Sequence, residues 1–372
     1  MIKRVLHVVS AMNRGGAETL LMNVYRHIDR GSVQFDFVSH RSEVGHYDEE
    51  IESLGGKIYR IPSLGKSGPV NYVKNIMRII SKQDYIAVHA HTDFQSGFPA
   101  LAAKRMGIRK IVCHAHTNRW EKRGPLYNNI VFPLLRSVIK YSATDLCACS
   151  LEAAHFLFGE KLSRSVKILK NGIDVDEYWT SNDDHDYLRK ELALSKDVKI
   201  LGHVGHLSPV KDQSFILKLL KRLLDEGIHA AAVFVGEGPD RQELEEKCRH
   251  LDIDGRVFFL GVRADIPQLM NAFDVFVFPS IYEGFGIVTL EAQCAGTACV
   301  VAETVPSSTD LGLGLMSFLS LDDDIQIWTD EVKRALGRGA PDKFIIKRRF
   351  SQSGYYIRES VPKWLALYGL TN

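Results

Sequence analysis

Short apolar runs bounded by polar turns alternate along the chain with longer stretches whose apolar residues recur every three or four positions. The short runs, read as strands, lie at 4–10, 35–39, 57–61, 86–89, 110–113, 145–149 and 166–169. Helical periodicity fills 17–28, 70–81 and 97–106 between them. Strands that are apolar throughout, rather than alternating, predict a parallel sheet covered on both faces. The pattern then restarts, with strands at 199–204, 231–235, 257–260, 275–278, 299–302 and 316–319 and helices at 213–226, 241–251, 266–272 and 289–295. The expected class is α/β, with two doubly wound, Rossmann-like domains at 1–171 and 172–352. A terminal helical stretch at 353–372 has no strand after it and is free to cross back to the first domain.

Length agrees with this division, since single cores stop growing near ~250–300 residues and the chain has 372. No apolar run approaches the roughly 20 residues of a membrane span. The start of the chain is too short in its apolar part for a signal peptide and reads as a first strand. Six scattered cysteines form neither a metal spacing nor a disulfide framework, which fits a reducing cytoplasm. Cys147 and Cys149 are expected on one face of a strand, as core packing. The net charge of +2 conceals +11 over residues 1–171 and −9 over the remainder. A basic first half is expected to face something anionic, such as nucleic acid, a membrane surface or a lipid pyrophosphate.

Open parallel sheets bind ligands beyond the carboxyl ends of their strands, and two such domains facing each other would make an inter-domain cleft. The densest candidate chemistry is the segment Phe278-Pro279-Ser280-Ile281-Tyr282-Glu283-Gly284-Phe285-Gly286-Ile287-Val288-Thr289-Leu290-Glu291. A strand ends, a glycine loop follows, and a helix begins. Gly284 and Gly286 permit close backbone approach, and the first helical N–H groups favour an anion. Glu283 and Glu291, eight residues apart, can grip two hydroxyl-bearing parts of one ligand. The plainer reading makes them a loop charge and a surface helix residue.

This Glu-x7-Glu segment resembles the signature of family 4 glycosyltransferases. The likeness continues through NRGGAE at 13–18, KNGID at 170–174, GHLSPVKD at 205–212, VGEGPDR at 235–241 and FLG at 259–261, in the family's order over nearly the whole chain. The stretches LHVVSAMNRGGAETLLMN and VHAHTDFQSG most resemble bacterial exopolysaccharide and capsule transferases. The resemblance implies a GT-B fold and a retaining, metal-independent transfer from a nucleotide-diphosphate sugar, expected to be a UDP-sugar, to a glycan or lipid-linked acceptor. It implies no cofactor. Glu283 would accept hydrogen bonds from the donor sugar, which Gly284, Phe285 and Gly286 would line. Ile287 and Val288 would offer N–H groups to the diphosphate, and Glu291 would hold the ribose. Lys211 would neutralise the diphosphate, and Gly15 and Gly16 would bring the first domain's backbone against phosphates or acceptor. By strand alignment His116 matches the family's donor-sugar histidine. The sequence departs from the family at His206, where Arg is usual. Imidazole is the weaker, pH-dependent substitute for a guanidinium fork.

His89, His91, His114 and His116 crowd two strand ends. Their functional reading is polar contact with sugar hydroxyls. A zinc site is conceivable because His is a common ligand, but no local ligand spacing supports it, so no metal is expected, and the remaining histidines are expected to be satisfied structural groups. Basic residues gather at Lys104, Arg105, Arg109 and Lys110, at Arg119, Lys122 and Arg123, and at Arg136 and Lys140 on the apolar helical stretch 128–141. Basic residues on such a helix suit an anionic membrane surface, or else a merely solvated face. No nucleic-acid module accompanies them, so nucleic acid is not an expected partner. The expected location is cytoplasmic, peripheral on the inner membrane. Two rivals stay open: a nucleotide-sugar epimerase on the same fold, and a binding protein that has lost turnover.

Overall fold

The computed structural model describes residues 2–117, 126–180 and 185–370. The basic residues Arg119, Lys122 and Arg123 lie outside them. The chain divides into two compact units, Met1–Gly172 with Gly354–Asn372, and Ile173–Ser353.

The first unit contains strands β1 (Lys3–Val8), β2 (Val33–Ser39), β3 (Ile58–Arg60), β4 (Tyr85–Ala90), β5 (Lys110–Ala115), β6 (Asp145–Ala148) and β7 (Lys167–Ile168). They form one sheet in the order β3-β2-β1-β4-β5-β6-β7, and every pairing is parallel. The second unit contains β8 (Lys199–Val204), β9 (Ala230–Val235), β10 (Val257–Phe259), β11 (Val275–Phe278), β12 (Cys299–Ala302) and β13 (Met316–Leu319). Their order is β10-β9-β8-β11-β12-β13, again all parallel. In each sheet the strand order reverses beside the first strand, at β1/β4 and at β8/β11. Such a switch point splays the following loops apart and opens a crevice at the carboxyl edge.

The central strands are buried along their whole length, as β2, β9, β11 and β12 show. That is why β9, β11 and β12 read as apolar runs without alternation, whereas β2 interleaves Gln34 and Asp36, which are buried with hydrogen-bond partners in Tyr25 and Arg4. In the first sheet alternate residues feed two cores. Leu6, Val8, Val88 and Ile111 pack on one face with the helix Leu64–Ile80, while Val5, Ala87 and Val112 pack on the other with Gly16–His27 and with Trp364 of the terminal helix Ile357–Leu367. Cys147 belongs to the second core and Cys149 to the first. The two thiols therefore do not share a face, because β6 ends at Ala148 and the chain turns before Cys149. All six cysteines are free and buried.

The helix Leu64–Ile80 starts earlier than its periodicity suggests. It is two helical pieces joined at Gly68, whose φ of 71° breaks the turn just before Pro69. In the second unit, Gly202 in mid-β8 has no room for a side chain, since a Cβ there would lie 2.1 Å from the Phe273 ring. Several helices carry no mark in the sequence reading, among them Asp48–Ser53, Leu151–Phe158, Tyr187–Glu191, Ile325–Leu336 and Lys343–Gln352.

Candidate active site

In the second unit β11 runs into the loop 279–286 and then the helix Ile287–Ala295. The chain enters the helix through Gly286 at φ 78°, a conformation that favours glycine, and a Cβ there would crowd Glu283 Cγ at 3.1 Å. Gly286 supplies no side-chain cap. The helix starts at the switch point with its first N–H groups, those of Ile287 and Val288, directed to the loop side. Thr289 bonds back to the Gly286 carbonyl through its amide at 2.9 Å and its hydroxyl at 2.8 Å. An uncapped N-terminus of this kind attracts an anion through partial positive charge and free donors.

The loop is stitched to the segment after β8. Ile281 N donates to Val210 O at 2.8 Å, and Ser280 Oγ donates to the same carbonyl at 3.1 Å. This brings Lys211 to Glu283. The two form an ion pair with little exposure, 20% for the lysine side chain and 15% for the glutamate. Lys211 Nζ also lies 4.7 Å from the centroid of the Phe278 ring. Asp212, at φ 45°, caps the next helix by accepting from Phe215 N, which fixes the backbone directly after Lys211. His206 sits in the same loop with its side chain exposed, while its carbonyl accepts from Gln213 Nε2 at 3.0 Å. The loops after β8, β9 and β10 are joined by Leu207 N to Glu237 O at 3.1 Å and Gly236 N to Gly261 O at 2.8 Å.

Glu291 stands more than a turn into the helix. Its carboxyl has no hydrogen bond or ion pair among the described residues. Burial, and after it the charge of Glu177, pushes its carboxyl up to about 7. Cys294, on the same helix, feels Glu291, Asp174, Asp176 and Glu177 together. The acidic group from 174 to 177 is thus a neighbour of Glu291 that sequence spacing did not reveal.

In the first unit the loop after β1 leads through Gly15 into the helix Gly16–His27. A Cβ on Gly15 would lie 2.6 Å from Glu18 Oε2, the mobile end of a side chain in the first turn of that helix. The helix has no side-chain cap. Tyr47 N donates to Met12 O at 3.0 Å and Arg14 lies over the Tyr47 ring at 5.0 Å, which anchors the loop to its neighbour.

The histidines form one ladder across three strands. His7 pairs in register with His89. The His89 and His91 rings are 4.1 Å apart, as are those of His114 and His116. A chain of hydrogen bonds runs through it. His7 Nδ1 and His91 Nε2 share one at 3.1 Å, and His91 Nδ1 and His116 Nε2 share another at 2.9 Å. Burial lowers every member, His7 to about 3 and His116 to about 4, so all are neutral near pH 7. The expectation that the other histidines are satisfied groups fails here. His7 Nε2, His89 Nε2 and both nitrogens of His114 are buried without a partner among the described residues. Asp93 is a functional candidate that spacing missed. It is held at φ 46° and accepts from His116 N and Thr117 Oγ1, both at 3.0 Å, and so fixes the end of β5 that carries His116.

The basic groups separate on inspection. Arg136 donates to the carbonyls of Leu157 and Phe156 at 2.9 and 2.6 Å and closes a helix end rather than meeting a ligand. Lys110 lies 3.6 Å from Asp145. Lys140 is exposed. Beside it Leu126, Ile130, Leu134 and Tyr141 are 59–65% exposed, an apolar stripe on one helical face. Among the described residues no helix is long and apolar enough to cross a membrane.

Comparison with known proteins places two family models on this chain. One described as Glycosyltransferase Family 4 matches residues 14–177, and one described as Glycosyl transferases group 1 matches residues 184–311. The glycosyltransferase EpsF of Bacillus subtilis is 41% identical over 99% of this chain and 97% of its own length. A UDP-Gal:alpha-D-GlcNAc-diphosphoundecaprenol alpha-1,3-galactosyltransferase of Escherichia coli is 26% identical over 61% of this chain and 60% of its own. Among solved structures, HepE of Anabaena in complex with UDP and glucose superposes with a TM-score of 0.77 at 22% identity, covering 99% of both chains.

Proposed function

The chain belongs to glycosyltransferase family 4, and from that premise we propose that it transfers a sugar, with retention, from a UDP-sugar to a lipid-linked glycan during assembly of a surface polysaccharide. The observation that carries the reading is the Lys211–Glu283 pair beside the uncapped helix start at Ile287. Cleaving the donor's glycosidic bond leaves growing negative charge on the diphosphate. Preorganised donors aimed at that charge are usually the largest catalytic term. Lys211 and the N–H groups of Ile287 and Val288 supply them from this chain's own residues, with no metal assigned to the diphosphate. As the diphosphate draws Lys211, Glu283 is released to accept from sugar hydroxyls. Glu291 takes the ribose hydroxyls, and His116 the donor sugar, as the family resemblance assigns them. UDP is supported by the bound UDP of HepE, and the lipid-linked acceptor by the diphosphoundecaprenol substrate of the galactosyltransferase.

A thermal-shift screen of nucleotide sugars followed by turnover assays tests this. A UDP-sugar is expected to raise the melting temperature most and to turn over only when a lipid-diphosphate glycan is added. Conversion of the donor to an isomer without acceptor would establish an epimerase instead. Binding without turnover under any acceptor would leave a nucleotide-sugar-binding protein.

The same reading places the enzyme in the cytoplasm, touching the membrane through the exposed stripe Leu126, Ile130, Leu134 and Tyr141 with Lys140 beside it. Each basic residue near an anionic leaflet contributes about 1 kcal/mol, and each buried CH₂ about 0.8 kcal/mol. Co-sedimentation with anionic liposomes is expected at low salt, weakened in high salt and in Ile130→Ser/Leu134→Ser. Equal failure to bind neutral and anionic vesicles would refute the contact and point to a soluble acceptor.

A further inference from the structure

We propose that His7, His89 and His91 form a binding site for a divalent, imidazole-preferring metal ion of the zinc class, built into the core of the first unit. The tertiary fold assembles this set where local spacing offers none. His7 lies on β1 and His89 on the neighbouring β4, with His91 directly after β4 on the same sheet face, and one ring nitrogen from each lies within 4.8 Å of the other two. His7 and His89 are fully buried and His91 is 8% exposed.

Three observations point to an ion rather than to plain packing. His7 Nδ1 and His91 Nε2 face each other at 3.1 Å. That is close to the separation of two ligand nitrogens sharing an ion at about 2.0–2.1 Å, roughly 3.3 Å for a tetrahedral angle. His89 Nε2 is buried with no hydrogen-bond partner, a cost of about 1–3 kcal/mol that coordination removes. Two of the three remaining nitrogens are arranged as outer partners of ligands usually are, and the third, His7 Nε2, is buried without one among the described residues. His89 Nδ1 bonds to Tyr368 Oη at 2.8 Å, and His91 Nδ1 bonds to His116 Nε2 at 2.9 Å. Metal-bound histidines typically donate their second N–H in this way, which fixes ring orientation and tautomer. All three ligands are uncharged imidazoles, a set suited to zinc, copper or nickel rather than to calcium or magnesium.

The site has a consequence for His116. With its Nε2 on the ion, His91 can only donate from Nδ1. His116 Nε2 is then the acceptor, and the proton of His116 sits on Nδ1. The inference of the ion itself does not rest on sugar transfer.

The test uses the full chain and Zn²⁺ alone, because ligands this deep are expected to load during folding. Protein expressed with added Zn²⁺ and washed free of loose metal is expected to retain one equivalent by elemental analysis. Protein produced with Co²⁺ is expected to show the visible bands of a low-symmetry, nitrogen-bound ion. His7→Gln and His89→Gln should each reduce retention at least tenfold, while His116→Gln keeps it. The wild-type Co²⁺ spectrum decides the matter even where a variant folds poorly. Wild-type protein that retains no metal and shows no Co²⁺ bands would overturn the proposal. Retention that survives His7→Gln and His89→Gln but is lost in His114→Gln would also overturn it, by placing the ion on the outer set His91, His114 and His116.

Discussion

Lys211→Ala is expected to lower the turnover of a saturating UDP-sugar on the order of 10²-fold, the loss typical of one donor directed at developing charge. The structure adds a second consequence. Lys211 is the ion-pair partner of Glu283, and both side chains are mostly shielded from water. Removing the lysine strands a shielded carboxylate, so some loss of stability accompanies the loss of rate. The double variant Lys211→Ala/Glu283→Gln separates the two. It removes the stranded charge, so its melting temperature is expected to recover toward wild type while its turnover stays low. If turnover recovers with stability, Lys211 acts by holding the loop rather than by meeting the diphosphate. His206→Ala is expected to cost less than Lys211→Ala, because its exposed side chain is not locked against the loop. The reverse ranking would make His206 the principal cation.

Glu291→Ala is expected to weaken UDP binding by about 1.5–3 kcal/mol, the range for hydrogen bonds to a charged group, or roughly 10- to 150-fold in Kd. Calorimetry measures it directly, and unchanged affinity in a folded variant would refute the ribose role. The raised carboxyl of Glu291 gives this prediction a pH signature. Its folded value of about 7 lies above its ordinary 4.5. Between those values the folded chain holds a proton that the unfolded chain releases. The group therefore contributes stability that is complete below about 4.5 and is lost as pH rises through about 7. Glu291→Gln removes that loss, so its melting temperature should gain on wild type from pH 5 to pH 8, by the equivalent of about 1–2 kcal/mol after allowing for the side chain's partial opening to solvent. Ribose hydroxyls donate to the carboxylate and favour its charged form. UDP affinity of the wild type should therefore rise with pH through 7, and that of Glu291→Gln should stay flat. A flat wild-type profile would mean that the nucleotide does not meet this carboxylate.

The central strands were legible in the sequence because β9, β11 and β12 are short runs of apolar side chains buried on both faces, a property of neighbouring residues alone, while the edge strands β3, β7, β10 and β13 are only partly buried and were marked by their apolar residues between polar turns. The restart of the pattern near residue 199 announced a second sheet for the same reason. The loop from Pro279 to Gly286 was legible because glycine spacing and a strand-to-helix change are local facts. The helix Ile325–Leu336 could have been read as well, since Ile325, Trp328, Val332 and Ala335 keep a helical spacing and Trp328 is wholly buried. Tertiary structure alone decided the rest. Lys211 and Glu283 are 72 residues apart and meet only because β8 and β11 are neighbours at the switch point. Cys147 and Cys149 share a parity that promised a common face, and the end of β6 at Ala148 sent them to different cores. Glu291 carries a raised carboxyl because the fold buries it and then sets Glu177 nearby. The histidine ladder depends on register between β1, β4 and β5, which sets five imidazoles side by side beneath Trp364 and Tyr368 of the returning chain. Periodicity along a chain reports which face a residue takes. Who stands opposite it, and how much water is left between them, is settled by strand order and register.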